Sequence, residues 1–317
     1  MRGFTRPRRF SLIMVFAMAL SVYAQGTNLK VNCNGTALST INSALKMLNP
    51  QGPNTITVSG SCHENVVIQS FDRLTLTANL GATITDASGG NGVVVDIEDS
   101  TRISMQGFTI NGGNIGVLCS DFSLCRFKEN TVHNAINDGL GMYIVRSHAS
   151  FDHDVIENNN GDGLDVINES TVVSDGLTVQ RNGGEGVFVG FESFMVVRTA
   201  TVQGNAGNGI FASQNSSVAV VSSNITRNGG NGVFLAQAST AVFRAPLGPS
   251  SITNNGASGV LLGDLSFGQF EGSGNQITGN NTATGGAGND VTCNPQFSAT
   301  RGALTNIGGG TTNCVEP

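Results

Sequence analysis

Three stretches of the sequence share one pattern: NGGEGVFV (residues 182–189), NAGNGIFA (205–212) and NGGNGVFL (228–235). Each begins with Asn, reaches a Gly four residues later and continues into a short apolar segment, and each starts 23 residues after the one before. A fixed period of this size is typical of a repeat protein in which one unit stacks on the next.

The same signal extends over most of the 317 residues. A Gly followed by an aliphatic residue recurs at Gly92, Gly116, Gly139, Gly163, Gly186, Gly209, Gly232 and Gly259. Frequent Gly and β-branched residues disfavour a helical solenoid, and a propeller blade needs a longer unit. The sequence therefore predicts an all-β solenoid, a parallel β-helix of about eight or more coils.

Residues 1–24 have the pattern of a signal peptide, with four Arg (Arg2, Arg6, Arg8 and Arg9) before an apolar run over 10–22. Cleavage near Ala24 would give a secreted protein, extracellular or periplasmic, with no membrane span in its mature form. The formal net charge would move from −6 to −10, because four Arg and no acid leave. Such an acidic chain is not expected to bind nucleic acid.

The ends of the repeat region are predicted to be caps. Residues 25–70 would form an N-terminal cap and the first strands, 71–280 the β-helix and 281–317 the C-terminal cap. In the first cap, a helix is predicted over about residues 37–48, with Thr36 as its N-cap. That helix would cover the open end of the first coil.

Six Cys in an exported chain indicate disulfides. The simplest local pairs are Cys33 with Cys62 and Cys293 with Cys314. Cys119 and Cys125 occupy inward positions and could face each other across one coil. The sequence does not fix the connectivity, because six Cys allow 15 arrangements. Zinc binding is the alternative, although no CxxC pair is present.

The strand-like segments Thr55–Ser59 and Glu64–Ile68, with Cys62 between them, precede the Asn-Gly-x-Gly-Val coils. Over about residues 28–290 the chain resembles bacterial right-handed parallel β-helix repeat proteins of the pectate-lyase-like superfamily. The resemblance implies contact with extracellular or cell-wall polysaccharide, with or without catalysis. The alternatives are a structural or adhesive surface protein, and a polysaccharide lyase or glycoside hydrolase.

A column of acids is the first candidate site. Asp138, Asp162 and Glu185 each precede the repeated Gly in three consecutive coils, and Asp165 follows on the next strand. Stacked carboxylates repel unless a proton or cation offsets them. The column is therefore a candidate catalytic acid–base site, and Asp138, Asp162 and Asp165 are a candidate calcium site. The alternative is that these acids are solvated turn residues.

A second column, two residues after each Gly, contains Asp165, Phe188, Phe211 and Phe234. Its neighbours are apolar and alternate with it, so this column is predicted to point outward and to bind substrate, with Arg146 and Arg181 near it. The alternative is that the rings pack under a loop or against each other.

The last cluster comprises Arg146, His148, Asp152, His153 and Asp154. It has groups suited to acid–base catalysis or metal binding. An exposed turn without chemistry is the alternative.

Overall fold

The computed structural model describes residues 26–272, 274–285, 288–293, 299–301 and 305–315. The predicted signal segment lies outside the described residues. Within these described residues, three parallel sheets of 12, 10 and 10 strands wind into an all-β solenoid of about 11 turns. The parallel β-helix predicted from the repeat is confirmed, and strands on both sides of the 71–280 segment join the same sheets.

We name the sheets A, B and C; each coil crosses them in the order B, C, A. Sheet A contains Asn28–Asn32, Asn54–Ser59, Leu74–Ala78, Ile103–Gln106, Leu124–Lys128, His148–Asp152, Thr171–Asp175, Phe194–Arg198, Ser217–Val221, Thr240–Arg244, Phe267–Glu271 and Ala299–Arg301. Sheet B contains Ser61–His63, Thr83–Thr85, Thr109–Asn111, Thr131–His133, Val155–Glu157, Thr178–Gln180, Thr201–Gln203, Asn224–Thr226, Ser251–Thr253 and Gln276–Thr278. Sheet C contains Val66–Gln69, Val93–Glu98, Ile115–Ser120, Leu140–Val145, Leu164–Ile167, Val187–Val189, Ile210–Ala212, Val233–Leu235, Val260–Leu262 and Val291–Cys293.

The N-terminal helix is shorter than the sequence predicts. It covers Ile41–Leu45, and its N-cap is Thr40 rather than Thr36. The carboxylate of Glu64 accepts hydrogen bonds from the backbone N–H groups of Ile41 (2.6 Å) and Asn42 (3.0 Å). This distant partner satisfies the free donors of the first turn and so fixes where the helix begins. A short 3₁₀ helix covers Thr282–Thr284.

The core is the interior of the solenoid. In sheet C, Val166, Val189, Ala212 and Leu235 occupy equivalent inward positions and are fully buried. Each fully buried Val or Leu contributes roughly 1.5–3 kcal/mol. Because every strand alternates inward and outward side chains, the same register decides which residues face solvent.

Buried Asn side chains form a ladder at the corner between sheets B and C. Each amide Nδ2 donates to the Oδ1 of the next residue at 2.9–3.0 Å. The ladder runs through Asn159, Asn182, Asn205, Asn228, Asn255 and Asn280 and ends at Asp290. A carboxylate only accepts hydrogen bonds, so Asp290 suits the last position.

Serines perform a similar function at the corner between sheets C and A. From one coil to the next, each hydroxyl accepts the backbone N–H of the preceding serine at 3.0–3.2 Å. The column comprises Ser100, Ser123, Ser147, Ser170, Ser193, Ser216 and Ser239. Both ladders satisfy backbone groups that the turns would otherwise leave unpaired.

All six cysteines form disulfides, in the simplest pairing that the sequence allowed. Cys33 is joined to Cys62 at the N-terminal end and Cys293 to Cys314 at the C-terminal end. Cys119 and Cys125 face each other across a coil interior, at positions equivalent to Val166 and Val172. Two of the three disulfides therefore fasten the ends of the stack.

Candidate functional site

The strand register of sheet C sets which side chains share its outer face. The outward column is Asp96, Leu118, Tyr143, Asp165, Phe188, Phe211, Phe234 and Leu261. The predicted neighbours Asp165, Phe188, Phe211 and Phe234 are therefore adjacent and outward. In the coil before that of Asp165, the residue at this position is Tyr143. The spacing from Gly139 predicts Gly141 there instead.

The prediction that Asp138 continues the column of acids Asp162 and Glu185 is wrong, because Leu140 is the residue of that coil equivalent to Asp162. The stacked glycine of that coil is Gly141, because a Cβ on Gly141 would collide with the carbonyl oxygen of Gly163. Asn137 and Asp138 form a longer exposed turn, with φ values of 59° and 58°. Residues 139–142 contain two glycines, each followed by an apolar residue, and the sequence pattern favours Gly139 where the structure stacks Gly141. That error also hid Tyr143.

The three phenylalanines form a continuous ladder of half-buried rings. The ring centroids of Phe188 and Phe211 are 5.4 Å apart, and those of Phe211 and Phe234 are 4.9 Å apart with nearly parallel planes. The ring of Phe188 lies over Gly190, where an added Cβ would be 2.7 Å from its Cζ. The rings thus face outward, as predicted, and also pack on each other, as the alternative interpretation proposed.

Asp165 and Asp162 form a carboxyl pair at the edge of this ladder. Oδ1 of Asp165 is buried and accepts no hydrogen bond from the described residues. Burial raises the pKa of Asp165 to about 8, with further increases from the charge of Asp162, the hydrogen bond to Asp162 and the charge of Glu185. Burial also raises the pKa of Asp162. Of the two acids, Asp165 is therefore the one whose charged form burial and the neighbouring carboxylates disfavour more.

Asp162 and Glu185 also have a structural role. Oδ1 of Asp162 accepts the backbone N–H of Glu185 at 2.6 Å. Glu185 in turn accepts the backbone N–H of Asn208 and the side-chain amide of Asn208. Burial raises the pKa of Glu185. Each of these two acids thus accepts a backbone N–H group of the next coil, so they link successive coils as the buried Asn ladder does.

The predicted calcium site has a poor set of ligands. Among the described residues, Cys33, Cys62 and Glu64 are the group whose potential ligand atoms all lie within 4.8 Å of one another, and two of them form a disulfide. Oδ1 of Asp162 already accepts the backbone N–H of Glu185, and Asp138 does not lie next to Asp162 in the column of acids. Hard cations prefer several ionised or carbonyl oxygens. These residues do not fit calcium well, and calcium binding stays a prediction.

Tyr143 lies on the outer face of sheet C and interacts electrostatically both with Asp165 on that face and with Arg146. Burial raises its pKa, the charge of Asp165 raises it further, and Arg146 opposes the increase. Arg146 lies at the corner between sheets C and A and forms an ion pair with Asp121. The predicted substrate-binding Arg146 is therefore near the site, although its charge is compensated.

The corner holds an open groove that the sequence did not predict. It has a volume of about 870 Å³ and runs beside the ends of the sheet C strands. Two exposed aromatic rings line it, Phe122 (79% exposed) and Phe191 (44% exposed). Arg146, His148, Glu169 and Glu192 provide charged or polar groups along it. We call it the corner groove.

The other predicted site residues lie elsewhere. Arg181 forms an ion pair with Glu157 at the end of a sheet B strand. The His–Asp cluster does not converge: Asp152 and His153 form an exposed pair with Nδ1 2.7 Å from Oδ1. Asp154 is fully buried, accepts two hydrogen bonds from Asn130, and has its pKa raised by burial to about 6.

The fold is that of a right-handed parallel β-helix. Residues 91–245 match the family model described as right handed beta helix region. Comparison with curated proteins gives no significant sequence match. In the described residues, no helix has the length and apolar character needed to cross a membrane.

Solved structures share this fold at low sequence identity. The pectate lyase Pel9A has a TM-score of 0.58 and 13% identity, over 80% of this chain and 78% of its own. The A-module of the Azotobacter vinelandii mannuronan C-5 epimerase AlgE6 has a TM-score of 0.59 and 14% identity, over 87% and 90%. The enzymatically active domain of bacteriophage CBA120 tailspike protein 2 has a TM-score of 0.64 and 14% identity, over 86% and 47%. At these identities the similarity shows the fold alone.

Proposed function

We propose that this protein is secreted and binds an extracellular or cell-wall polysaccharide along the outer face of sheet C. The observation that supports this most directly is the outward ladder of Tyr143, Phe188, Phe211 and Phe234 beside Asp165. These residues lie on five successive coils and span roughly 19 Å at the usual strand spacing. A linear apolar strip with a hydrogen-bonding acid beside it suits a long, narrow ligand whose sugar rings have apolar faces.

Two further observations support the proposal. The structural neighbours with the same fold include a pectate lyase and a mannuronan epimerase, proteins named for polysaccharide substrates. Three disulfides suit an oxidising compartment, as the predicted signal segment does.

The binding test is a Phe211→Ala variant on a broad polysaccharide panel. We expect its affinity to fall about tenfold, the loss of one stacked ring. Phe194→Ala is the matched control, because Phe194 is exposed on sheet A and should leave binding unchanged. A thermal melt of each variant shows whether it is folded. The proposal fails if the wild type binds no glycan, or if Phe211→Ala binds as the wild type does.

Catalysis by the Asp165–Asp162 pair is a second candidate function. A buried carboxyl group that stays protonated at neutral pH is suited to general acid catalysis, here by proton transfer from Asp165 to a leaving glycosidic oxygen. Asp165→Asn should then lower the release of reducing or unsaturated ends by about 10²-fold or more. Unchanged release on every substrate that the wild type cleaves would exclude this role.

The structural or adhesive alternative makes a different prediction about the same ladder. If the rings contact protein, light scattering should show self-association that Phe211→Ala abolishes, without glycan binding. A monomer that binds polysaccharide supports the first proposal instead.

A further inference from the structure

The corner groove has two bulky side chains at backbone positions that normally exclude them. Phe122 and Phe191 have φ values of 63° and 55°. Neighbouring coils fill the position of Phe191 with the polar residues Asn168, Gln214 and Gln237. The two rings are therefore exposed on turns and do not pack in the core.

The two rings face one groove rather than separate parts of the surface. Both line the cleft of about 870 Å³, three coils apart, at roughly 14 Å by strand spacing. Asn168 and Glu169 provide polar groups between the two rings. Glu192 and Gln214 provide further polar groups of the groove after Phe191 in the chain. Two apolar platforms separated by amides and carboxylates match a chain of rings that carry hydroxyl groups.

The charges of the groove discriminate between classes of glycan. Among the described residues that line the groove, Arg146 provides a guanidinium, which is in an ion pair with Asp121. In the described part of the chain, Glu169 and Glu192 have no ion-pair partner. Carboxylates accept hydrogen bonds from sugar hydroxyls but repel the carboxylates of a polyuronate.

We infer that the corner groove binds an uncharged oligosaccharide, with Phe122 and Phe191 as its two stacking platforms. This rests on the proposed polysaccharide binding and adds to it the class of glycan and a binding surface adjacent to sheet C. The groove discriminates against polyuronates because Glu169 and Glu192 repel them.

The test is calorimetric titration of the full chain at physiological ionic strength. The probes are cello-, xylo- and manno-oligosaccharides, and galacturonate and mannuronate oligosaccharides of equal length. We expect at least one neutral probe to bind about tenfold or more tightly than either uronate. Glu192→Gln should narrow that difference by strengthening uronate binding.

Phe122→Asn and Phe191→Asn test the platforms. Asn suits their backbone conformation, so both variants should fold, and each should bind the neutral probe about tenfold more weakly. Leu265→Asn is the matched control, since Leu265 is also exposed at a left-handed position of the same corner but lies outside the groove.

Three outcomes would overturn the inference. If a uronate oligosaccharide binds more tightly than every neutral probe, the preference for uncharged glycans is wrong, while the proposed polysaccharide binding still stands. If neutral oligosaccharides bind equally well to the wild type and to both Phe variants, the corner groove is not the binding surface, and the outer face of sheet C is the surface that stays proposed. Absence of binding by every glycan removes the proposed function as well.

Discussion

At the scale of single residues, Asp165 is the least compensated group of the candidate site. It faces outward, yet one of its oxygens is buried and accepts no hydrogen bond from the described residues. Leaving such an atom unsatisfied costs roughly 1–3 kcal/mol. Every coil from Phe188 to Leu261 has an apolar side chain at this position. Asp165 therefore destabilises the fold at a position where a Phe would not.

Asp165 should make the protein less stable as the pH rises. Its pKa is raised to about 8 in the folded state, against about 3.9 in an unfolded chain. Between these values the folded state binds more protons, so the free energy of unfolding decreases as pH rises from about 4 to about 8. Asp165→Asn should remove most of this slope and raise stability at pH 8 by roughly 1–3 kcal/mol.

Urea denaturation of the wild type and Asp165→Asn at pH 5 and pH 8 measures the change. Asp264→Asn makes the same acid-to-amide change at an exposed corner and is the control for net charge. An equal pH slope in the wild type and Asp165→Asn would contradict the raised pKa.

Sequence alone could predict part of this site. The alternation around Asp165 and Phe188 correctly predicts that they face outward, because a period of two fixes the face of a strand. The prediction for Asp138 from the spacing of the repeated Gly is wrong. The turn before this strand is longer by two residues, so Gly141 and not Gly139 occupies the repeated position. Phe122 and Phe191 lie in turns, where no periodicity indicates which way a side chain points.

At the scale of structural elements, the buried Asn ladder holds neighbouring coils together. Oδ1 of Asn205 accepts both the backbone N–H and the Nδ2 of Asn182, each at 3.0 Å. The 23-residue spacing of Asn predicts this ladder directly. The start of the helix at Ile41 was not predictable in the same way, because it depends on Glu64, a partner 23 residues away.

Asn205→Ala should lower the free energy of unfolding by about 2–4 kcal/mol, because it leaves two buried donors of Asn182 without their acceptor. Gln203→Ala is the control in the adjacent strand: Gln203 faces outward and donates to Gln180 at 2.9 Å, and its loss should cost only about 0.5 kcal/mol. Denaturant unfolding measures both. Equal losses in the two variants would contradict a special role for the buried corner.

At the scale of the whole molecule, each coil contacts mainly its two neighbours. The stability of such a solenoid is close to a sum of coil terms and nearest-neighbour terms, so its ends can open without the middle. The Cys33–Cys62 and Cys293–Cys314 disulfides lie at the two ends, where neighbours are fewest. The candidate site lies in the central coils, where opening of the ends does not reach it.

Removing one terminal disulfide should therefore loosen one end only. In a Cys293→Ala/Cys314→Ala variant, hydrogen exchange should show protection of Val291–Cys293 and Gln276–Thr278 reduced by the equivalent of about 2–4 kcal/mol, while Val187–Val189 keeps its protection. Cys33→Ala/Cys62→Ala is the mirror control and should affect only the first strands. If either variant lost protection evenly along the chain, the solenoid would unfold as one cooperative unit and the ends would not protect the site independently. Glycan binding by the Cys293→Ala/Cys314→Ala variant should equal that of the wild type, because Phe188, Phe211 and Phe234 lie on coils that stay closed.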